Sequence, residues 1–155
     1  NWKLILLNQF HDVLPGSSIH QVYEDSARHY AKVLGEGIAI EPAEGRLYAP
    51  CDGRVDMVFD TKHAVNIVSS DGCEVLLHIG IDTVKLGGKY FESHVEAGQQ
   101  VRRGDLLVTF DMEKIRRAGY KLTTPMIVGN TEDYGSVTAA ASGEVRAGEE
   151  AIRIN

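Results

Sequence analysis

Two histidines, His63 and His78, are the residues of this chain whose type and spacing point most directly to chemistry. Residues 59–68 and 73–80 form two apolar runs rich in β-branched side chains, and a Ser/Asp/Gly cluster at residues 69–72 separates them. This pattern predicts a β-hairpin. Because each histidine lies in one of the two runs, the hairpin would bring the imidazoles together on one face.

The turn residues allow two registers for this hairpin. A four-residue loop would place His63 directly opposite His78. A two-residue loop at Asp71-Gly72 would place Val65 opposite His78 and make His63 its diagonal neighbour. In both registers the Cβ atoms of the two histidines would lie about 4.5–8 Å apart.

Neighbouring imidazoles can hold part of a metal site, act as a general acid and base, or carry a covalent group. A self-contained zinc site needs three or four protein ligands, and the other histidines stand at no recognisable ligand spacing: His11, His20, His29 and His94. A covalent role fits better, since neutral imidazole is a nucleophile near pH 7. A second imidazole can then stabilise a bound phosphoryl group, and Thr61 is placed to orient the ring of His63.

The composition limits the class of protein. The chain has 155 residues, a net charge of −6, 43% hydrophobic residues and 25% charged residues. These values are typical of an ordinary globular domain. The negative net charge and the lack of a basic stripe in the sequence argue against nucleic-acid binding. No apolar run approaches the ~20 residues of a membrane span. Two cysteines without a secretory signal favour the reducing cytoplasm.

The pattern of apolar and polar residues changes near residue 35. Apolar residues recur at helical spacing between Ser17 and Leu34, which predicts an N-terminal helical appendage, and residues 2–7 could be a strand or a helix start. After Gly37, short runs punctuated by Gly, Pro and Asp indicate an all-β sandwich or barrel. Strands are predicted near 38–41, 46–49, 53–58, 63–68, 73–79, 106–109, 125–128, 137–140 and 150–154.

Three further segments have local sequence patterns that predict turns or a helix. Residues 98–104 and 145–148 are interpreted as β turns, because each combines Gly with polar residues. Residues 111–118 are expected to form a short helical turn that Gly119 ends.

Several separated motifs, in order, resemble the glucose-type enzyme IIA of the bacterial phosphoenolpyruvate-dependent sugar phosphotransferase system. The resemblance covers residues from about 33 to the end of the chain, and we assign 35–155 to this domain. Its motifs are Thr61-Lys62-His63-Ala64, Leu77-His78-Ile79-Gly80-Ile81-Asp82-Thr83-Val84, Gly35-Glu36-Gly37-Ile38-Ala39-Ile40, Ala49-Pro50-Cys51-Asp52-Gly53, Gly104-Asp105-Leu106-Leu107 and Thr123-Thr124-Pro125.

This resemblance implies a compact antiparallel β-sandwich that carries a phosphoryl group on a histidine. His78 matches the phosphorylated histidine, His63 matches its partner, and Thr61 supports His63. Gly80 would allow close backbone approach, and Asp82 would order the loop or accept a proton. The rim of the active-site depression would be apolar, with matching positions at Val33, Leu34, Phe59, Leu76 and Val84.

The resemblance also implies partners. The phosphohistidine carrier HPr would donate the phosphoryl group, and the cysteine of a IIB domain would accept it during sugar uptake. No cofactor is required, but His63 and His78 could bind zinc when a regulatory partner supplies a further ligand. No nucleic acid and no direct membrane insertion are expected.

The first 34 residues depart from this family. Residues 8–19 and 22–25 resemble a stretch of bacterial zinc-dependent α-mannosidases, in which His11 would match a zinc ligand and Asp12 a residue of the sugar site. The remaining ligands of that family are absent, and one ligand cannot hold catalytic zinc, so no mannosidase activity is expected. We therefore treat residues 1–34 as an appendage.

Other functions compete with the phosphoryl carrier. A zinc hydrolase of related sandwich topology would need a His-x-His pair, which the sequence lacks. A biotinyl or lipoyl carrier would need a Met-Lys turn at a hairpin tip, but here Glu113 separates Met112 from Lys114. A regulatory binding module would use the same surface and remains an alternative.

Overall fold

The computed structural model describes residues 2–6, 36–140, 143–146 and 149–155. It contains thirteen strands and one short α-helix within these ranges. The strands are β1 (Trp2–Leu6), β2 (Glu36–Pro42), β3 (Arg46–Tyr48), β4 (Gly53–Val58), β5 (Ala64–Ser69), β6 (Glu74–His78), β7 (Phe91–Ser93), β8 (Gln100–Val101), β9 (Leu106–Phe110), β10 (Thr124–Val128), β11 (Val137–Ala139), β12 (Gly143–Val145) and β13 (Ile152–Ile154), and the helix is α1 (Met112–Arg117).

Eight strands form one antiparallel sheet in the order β12-β1-β2-β10-β6-β5-β4-β8. Residues along β6 alternate between its two faces, as a half-buried strand requires. Val75 and Leu77 are buried, whereas Glu74, Leu76 and His78 lie on the opposite, more accessible face. The central position of β6 between β5 and β10 therefore holds His78 on a rigid part of the sheet.

Two smaller sheets complete the fold, with strand orders β3-β9-β7 and β11-β13. The core joins side chains of the large sheet to those of the three-stranded sheet, and this packing makes the fold an antiparallel β-sandwich, as predicted. The core residues include Val65, Ile67, Val75 and Leu77 from the large sheet, and Leu47, Leu107, Val108 and Phe110 from the small one.

The hairpin of β5 and β6 exists, but both predicted registers are wrong by one residue. Ala64 lies opposite His78, and the loop has three residues between Ser69 and Cys73. The physical reason is Gly72, which closes the loop with a positive φ of 91°. A three-residue hairpin loop ends on such a left-handed residue, whereas the two-residue type I′ turn would also need a positive φ at Asp71, which Asp71 does not have.

The predicted strands agree with the observed ones to within one or two residues, but three strands were not predicted. The predicted turn at 98–104 contains β8, and the predicted turn at 145–148 includes the last residue of β12, with residues 147 and 148 lying outside the described residues. β7 was missed altogether. All three are only two or three residues long and depend on distant partners, as in the pairing of β8 with Gly53 and Arg54. Such short segments carry too little periodicity to be recognised.

The predicted helical turn is confirmed as α1. Asp111 caps it by accepting a hydrogen bond from the Lys114 backbone N–H at 3.0 Å, and Gly119 follows its end with a φ of 94°. Lys114 therefore lies in a helix, which differs from the hairpin tip that a biotinyl or lipoyl carrier requires.

The first residues of the chain contribute a strand. β1 pairs antiparallel with β2 over five residue pairs and with β12 over three. This resolves the choice between strand and helix start for Trp2–Leu6. The predicted helix between Ser17 and Leu34 and the mannosidase-like motif with His11 and Asp12 lie outside the described residues.

Candidate functional site

The site is built where the β4–β5 connection meets the end of β6. Val58 pairs with Val65, and the Phe59 backbone N–H donates to the Ala64 carbonyl at 3.1 Å. This leaves a four-residue loop, 60–63, of which His63 is the last residue. His63 therefore does not belong to β5, although the sequence predicted a strand from 63.

Lys62 directs the chain into His63. It has a left-handed φ of 58°, and its backbone N–H donates to the Phe59 carbonyl at 2.7 Å. The backbone of His63 is itself held, because its carbonyl accepts a hydrogen bond from the Ile79 N–H at 2.7 Å. Alternation along a regular strand would turn His63 away from His78, because the residue opposite His78 is Ala64. The loop position frees His63 from that alternation.

The two imidazole rings meet edge to face. Their centroids lie 4.7 Å apart and their planes make an angle of 79°. His63 is 3% exposed, whereas His78 is only partly buried. The structure thus brings together the two histidines that the sequence singled out, and it leaves His78 as the more accessible of the two.

Each imidazole is held through its Nδ1 atom. Thr61 Oγ1 lies 2.6 Å from Nδ1 of His63, and Nδ1 of His78 lies 2.7 Å from the carbonyl oxygen of Gly80. A carbonyl only accepts, so Nδ1 of His78 carries the proton in this bond. In the neutral ring the lone pair then resides on Nε2.

Both rings are neutral at pH 7. Burial, together with the neighbouring His78 ring, lowers the pKa of His63 to about 4. Burial also lowers the pKa of His78, and the hydrogen bond to Gly80 and the carboxylate of Asp82 oppose that effect. The site therefore presents a neutral imidazole, which is the form that can act as a nucleophile.

The chain turns sharply after His78. Gly80 has a φ of 75°, and a Cβ there would lie 2.6 Å from Cγ2 of Thr83 and 2.7 Å from the Lys121 carbonyl oxygen. Glycine is thus required both by the backbone conformation and by the lack of space. Asp82 also has a left-handed φ, of 57°, and its carboxylate lies 3.1 Å from Nζ of Lys85.

The described residues among those predicted for the rim are apolar and are exposed to different degrees. Val84 is 48% exposed and Phe59 is 37% exposed, with its ring centroid 5.6 Å from that of His63. Leu76 is half-buried on the face of β6 that carries His78. Val33 and Leu34 lie outside the described residues.

Two features of this region had no prediction. Met57, two residues before Phe59, is 49% exposed, because a β-bulge between Val55 and Met57 interrupts the alternation that buries Val55. Thr83, the first residue of a 3-10 turn (Thr83–Leu86), is fully buried. Its hydroxyl donates to the Ile79 carbonyl. The sequence alone does not predict this hydrogen bond, because a threonine in a turn can equally well point to solvent.

The described residues offer neither a metal centre nor a membrane-spanning helix. Within them, no three His, Cys, Asp or Glu side chains lie close enough together to hold a metal ion. His63 and His78 are therefore two candidate ligands without a third from the described chain. None of the described helices is long and apolar enough to cross a bilayer.

Comparison with known proteins places these features in one family. Residues 16–134 match the profile described as phosphoenolpyruvate-dependent sugar phosphotransferase system, EIIA 1. The β-glucoside-specific EIIBCA component of Dickeya chrysanthemi is 56% identical over 115 residues, which are 74% of this chain and 18% of that protein. The corresponding component of Bacillus subtilis (strain 168) is 46% identical over 125 residues, which are 81% of this chain and 20% of that protein.

A solved structure agrees with these sequence matches. Glucose permease IIA from Mycoplasma capricolum superimposes with a TM-score of 0.72 at 32% identity, covering 96% of this chain and 87% of that one. The curated relatives are much longer than this chain. The chain spans only about a fifth of their length, 18% and 20% in the two cases above.

Proposed function

The chain belongs to the EIIA 1 family of the phosphoenolpyruvate-dependent sugar phosphotransferase system, and we propose that Nε2 of His78 is the atom that carries the phosphoryl group. By this membership the chain is a phosphotransferase domain that works in sugar uptake through a histidine intermediate. Phospho-HPr is the proposed donor, and the cysteine of a IIB domain is the proposed acceptor.

The observation that carries this assignment is the hydrogen bond of 2.7 Å between Nδ1 of His78 and the Gly80 carbonyl. It holds the proton on Nδ1 and the lone pair on Nε2, which makes Nε2 the nucleophile. Burial supports this role, because it lowers the pKa of His78 and so keeps the ring neutral. Partial exposure of His78 leaves the ring within reach of a docked protein.

Transfer proceeds by two in-line displacements on phosphorus. In the first, the Nε2–P bond forms as the P–N bond of phospho-HPr breaks, and the donor histidine leaves with its electron pair. In the second, a cysteine thiolate of the IIB domain forms the S–P bond as the Nε2–P bond breaks. The Nδ1 proton of His78 stays in its bond to the Gly80 carbonyl throughout, so no base is needed.

His63 is proposed to stabilise the phosphoryl group. With the Thr61 hydroxyl donating to Nδ1 of His63, the ring proton lies on Nε2 and can be donated to a phosphoryl oxygen. The ring separation of 4.7 Å places this donor beside His78. Positioning and charge stabilisation supply most of the catalysis in phosphoryl transfer, and this pair provides both.

Docking is proposed to use the apolar rim around the two histidines. Phe59, Leu76 and Val84 would contact HPr and the IIB domain in turn, together with Val33 and Leu34. Asp82 is proposed to bind a basic group of a partner, which would compete with Lys85 for its carboxylate. Gly80 contributes through its carbonyl and its tight turn.

The relatives support a IIB partner. They are named EIIBCA components and so combine B, C and A parts in one protein. We propose that this domain serves a sugar permease from the cytoplasmic side. The free thiols of Cys51 and Cys73 fit such a reducing compartment.

A regulatory function is proposed as the second use of the same surface. No cofactor is needed for the transfer itself. A zinc ion could be held by His63 and His78 only if a bound partner contributed the remaining ligands of a tetrahedral site. The zinc hydrolase alternative gains no support, because the described residues supply no third ligand beside this pair.

The test is phosphorylation from labelled phosphoenolpyruvate with enzyme I and HPr, followed by site mapping. We expect acid-labile label on His78 of the wild type, no label in His78→Gln, and label without onward transfer in His63→Gln. His94→Gln is the matched control, because His94 is exposed and also contacts a threonine, Thr109, at 2.9 Å. Full labelling of His78→Gln would disprove the assignment.

A further inference from the structure

The buried side chain of Thr83 is hydrogen-bonded to the backbone next to the proposed phosphorylation site. It is 0% exposed, and its hydroxyl donates to the carbonyl of Ile79, the residue that directly follows His78. A buried hydroxyl is stable only when it is hydrogen-bonded, so this bond has no water to replace it. The bond therefore fixes the peptide unit between Ile79 and Gly80.

The methyl group of Thr83 restrains the same segment. A Cβ on Gly80 would lie 2.6 Å from Cγ2 of Thr83 and 2.7 Å from the Lys121 carbonyl oxygen, so these two groups enclose Gly80 closely. Thr83 thus contacts the turn through both branches of its side chain.

The next peptide unit carries the acceptor for His78. The Gly80 carbonyl and the Ile81 N–H belong to one planar unit and point in opposite directions. The Ile81 N–H donates to the Lys121 carbonyl at 3.0 Å, while the Gly80 carbonyl lies 2.7 Å from Nδ1 of His78. Two consecutive peptide units are therefore fixed, the first by Thr83 and the second by Lys121.

We infer that Thr83 is a positioning residue for phosphoryl transfer, holding the Gly80 carbonyl against Nδ1 of His78 so that Nε2 remains the nucleophile. This inference rests on the proposed role of His78. Without the Thr83 hydroxyl the Ile79 carbonyl loses its partner, so the Gly80 carbonyl is positioned only by the Lys121 bond of its own peptide unit and can shift relative to Nδ1 of His78. The imidazole then exchanges between its two tautomers and rotates more freely.

The test compares Thr83→Val, which keeps the shape and removes the hydroxyl, with Thr83→Ser, which keeps the hydroxyl. We expect T83V to lower kcat for transfer from phospho-HPr about tenfold with little change in KM, since it loses one hydrogen bond to the site. We expect T83S to restore the rate. Thr138→Val, at an exposed position on β11, is the matched control for the change in chemistry.

A second readout does not depend on phosphorylation. In protein labelled with 15N-histidine, the two ring nitrogens of His78 should show a single Nδ1–H tautomer in the wild type and in T83S. T83V should shift both signals toward an average of the two tautomers. A packing role alone would lower stability without changing the tautomer.

The outcomes separate the two proposals. Absence of label on wild-type His78 would contradict the proposed function, whereas the nitrogen spectra would still test Thr83. A folded T83V with wild-type kcat and a wild-type tautomer would overturn the role of Thr83. If T83V does not fold, Thr83→Ala replaces it in the comparison: wild-type kcat and tautomer in T83S with about tenfold lower kcat and mixed tautomers in T83A support the inference, and equal behaviour of the two variants overturns it.

Discussion

The two histidines of the site have similar chemistry and different surroundings. His63 is 3% exposed and is held by Thr61, whereas His78 is partly exposed and is held by a backbone carbonyl. A docked partner can reach the exposed imidazole directly. The buried imidazole can act only on a group that His78 already carries. This difference in burial supports the unequal roles proposed for the pair.

Burial of His63 predicts a pH dependence of stability. Its pKa is about 4 in the folded protein, against about 6.5 in the unfolded chain, so the unfolded state binds more protons between these values. The stabilisation is complete above pH 6.5 and is lost as the pH falls toward 4. From pH 7 to pH 5 the free energy of unfolding should fall by about 2 kcal/mol because of His63 alone.

Urea unfolding at the two pH values measures this effect. His63→Gln cannot titrate, so its free energy of unfolding should fall less than that of the wild type by about this 2 kcal/mol. Because the neighbouring His78 ring contributes to the low pKa of His63, His78→Gln and the double variant complete the comparison as a mutant cycle. An equal fall in both proteins would show that His63 titrates normally in the folded state.

At the scale of elements, the 60–63 loop and the turn after His78 shape the site. Lys62 and Asp82 both have left-handed backbone conformations, with φ of 58° and 57°. Side chains other than Gly, Asn and Asp adopt this region at a cost, and such positions concentrate at functional sites. The hydrogen bond from the Lys62 backbone N–H to the Phe59 carbonyl supports this conformation, which leads the chain into His63 beside His78.

Substitution of Lys62 tests this role of the loop. Lys62→Val should lower the free energy of unfolding by about 1–2 kcal/mol and slow transfer, because a β-branched residue opposes the left-handed conformation. Lys62→Asn tolerates that conformation while removing the charge, and Lys62→Gly has no Cβ to strain. Both should keep wild-type stability in urea unfolding. A loss in K62N equal to that in K62V would instead assign the effect to the charge.

At the scale of the whole molecule, the sandwich separates a buried core from an exposed rim. Leu107 of β9 is 0% exposed in the core, and Val84, a residue predicted for the rim, is 48% exposed. Core residues are therefore expected to determine stability, whereas rim residues determine partner affinity.

Alanine substitutions at Leu107 and Val84 should affect different quantities, the stability of the fold and the KM for phospho-HPr. Leu107→Ala should lower the free energy of unfolding by about 2–5 kcal/mol, because it leaves a cavity between the sheets. Val84→Ala should leave stability unchanged and raise KM for phospho-HPr. Urea unfolding and steady-state transfer measure the two effects, and a destabilised V84A with unchanged KM would remove Val84 from the rim.

The neighbourhood of His63 and His78 was predictable because two apolar runs and a turn cluster specify a hairpin. The exact register was not, since Ser69-Ser70-Asp71-Gly72 permits loops of several lengths. Which length forms depends on the conformation of Gly72 and on pairing along β5 and β6. The positions of most strands along the chain were likewise predictable, whereas β7, β8 and β12 depend on partners far away in the chain.

The sequence by itself determined the family, the sandwich class and the identity of the histidine pair, because these depend on motifs and on local periodicity. Only the tertiary structure decided that Ala64 faces His78, that Lys62 turns His63 toward it, and that Thr83 holds the Ile79–Gly80 peptide unit. These features depend on backbone angles and buried hydrogen bonds, which residue types do not specify until distant strands have packed together.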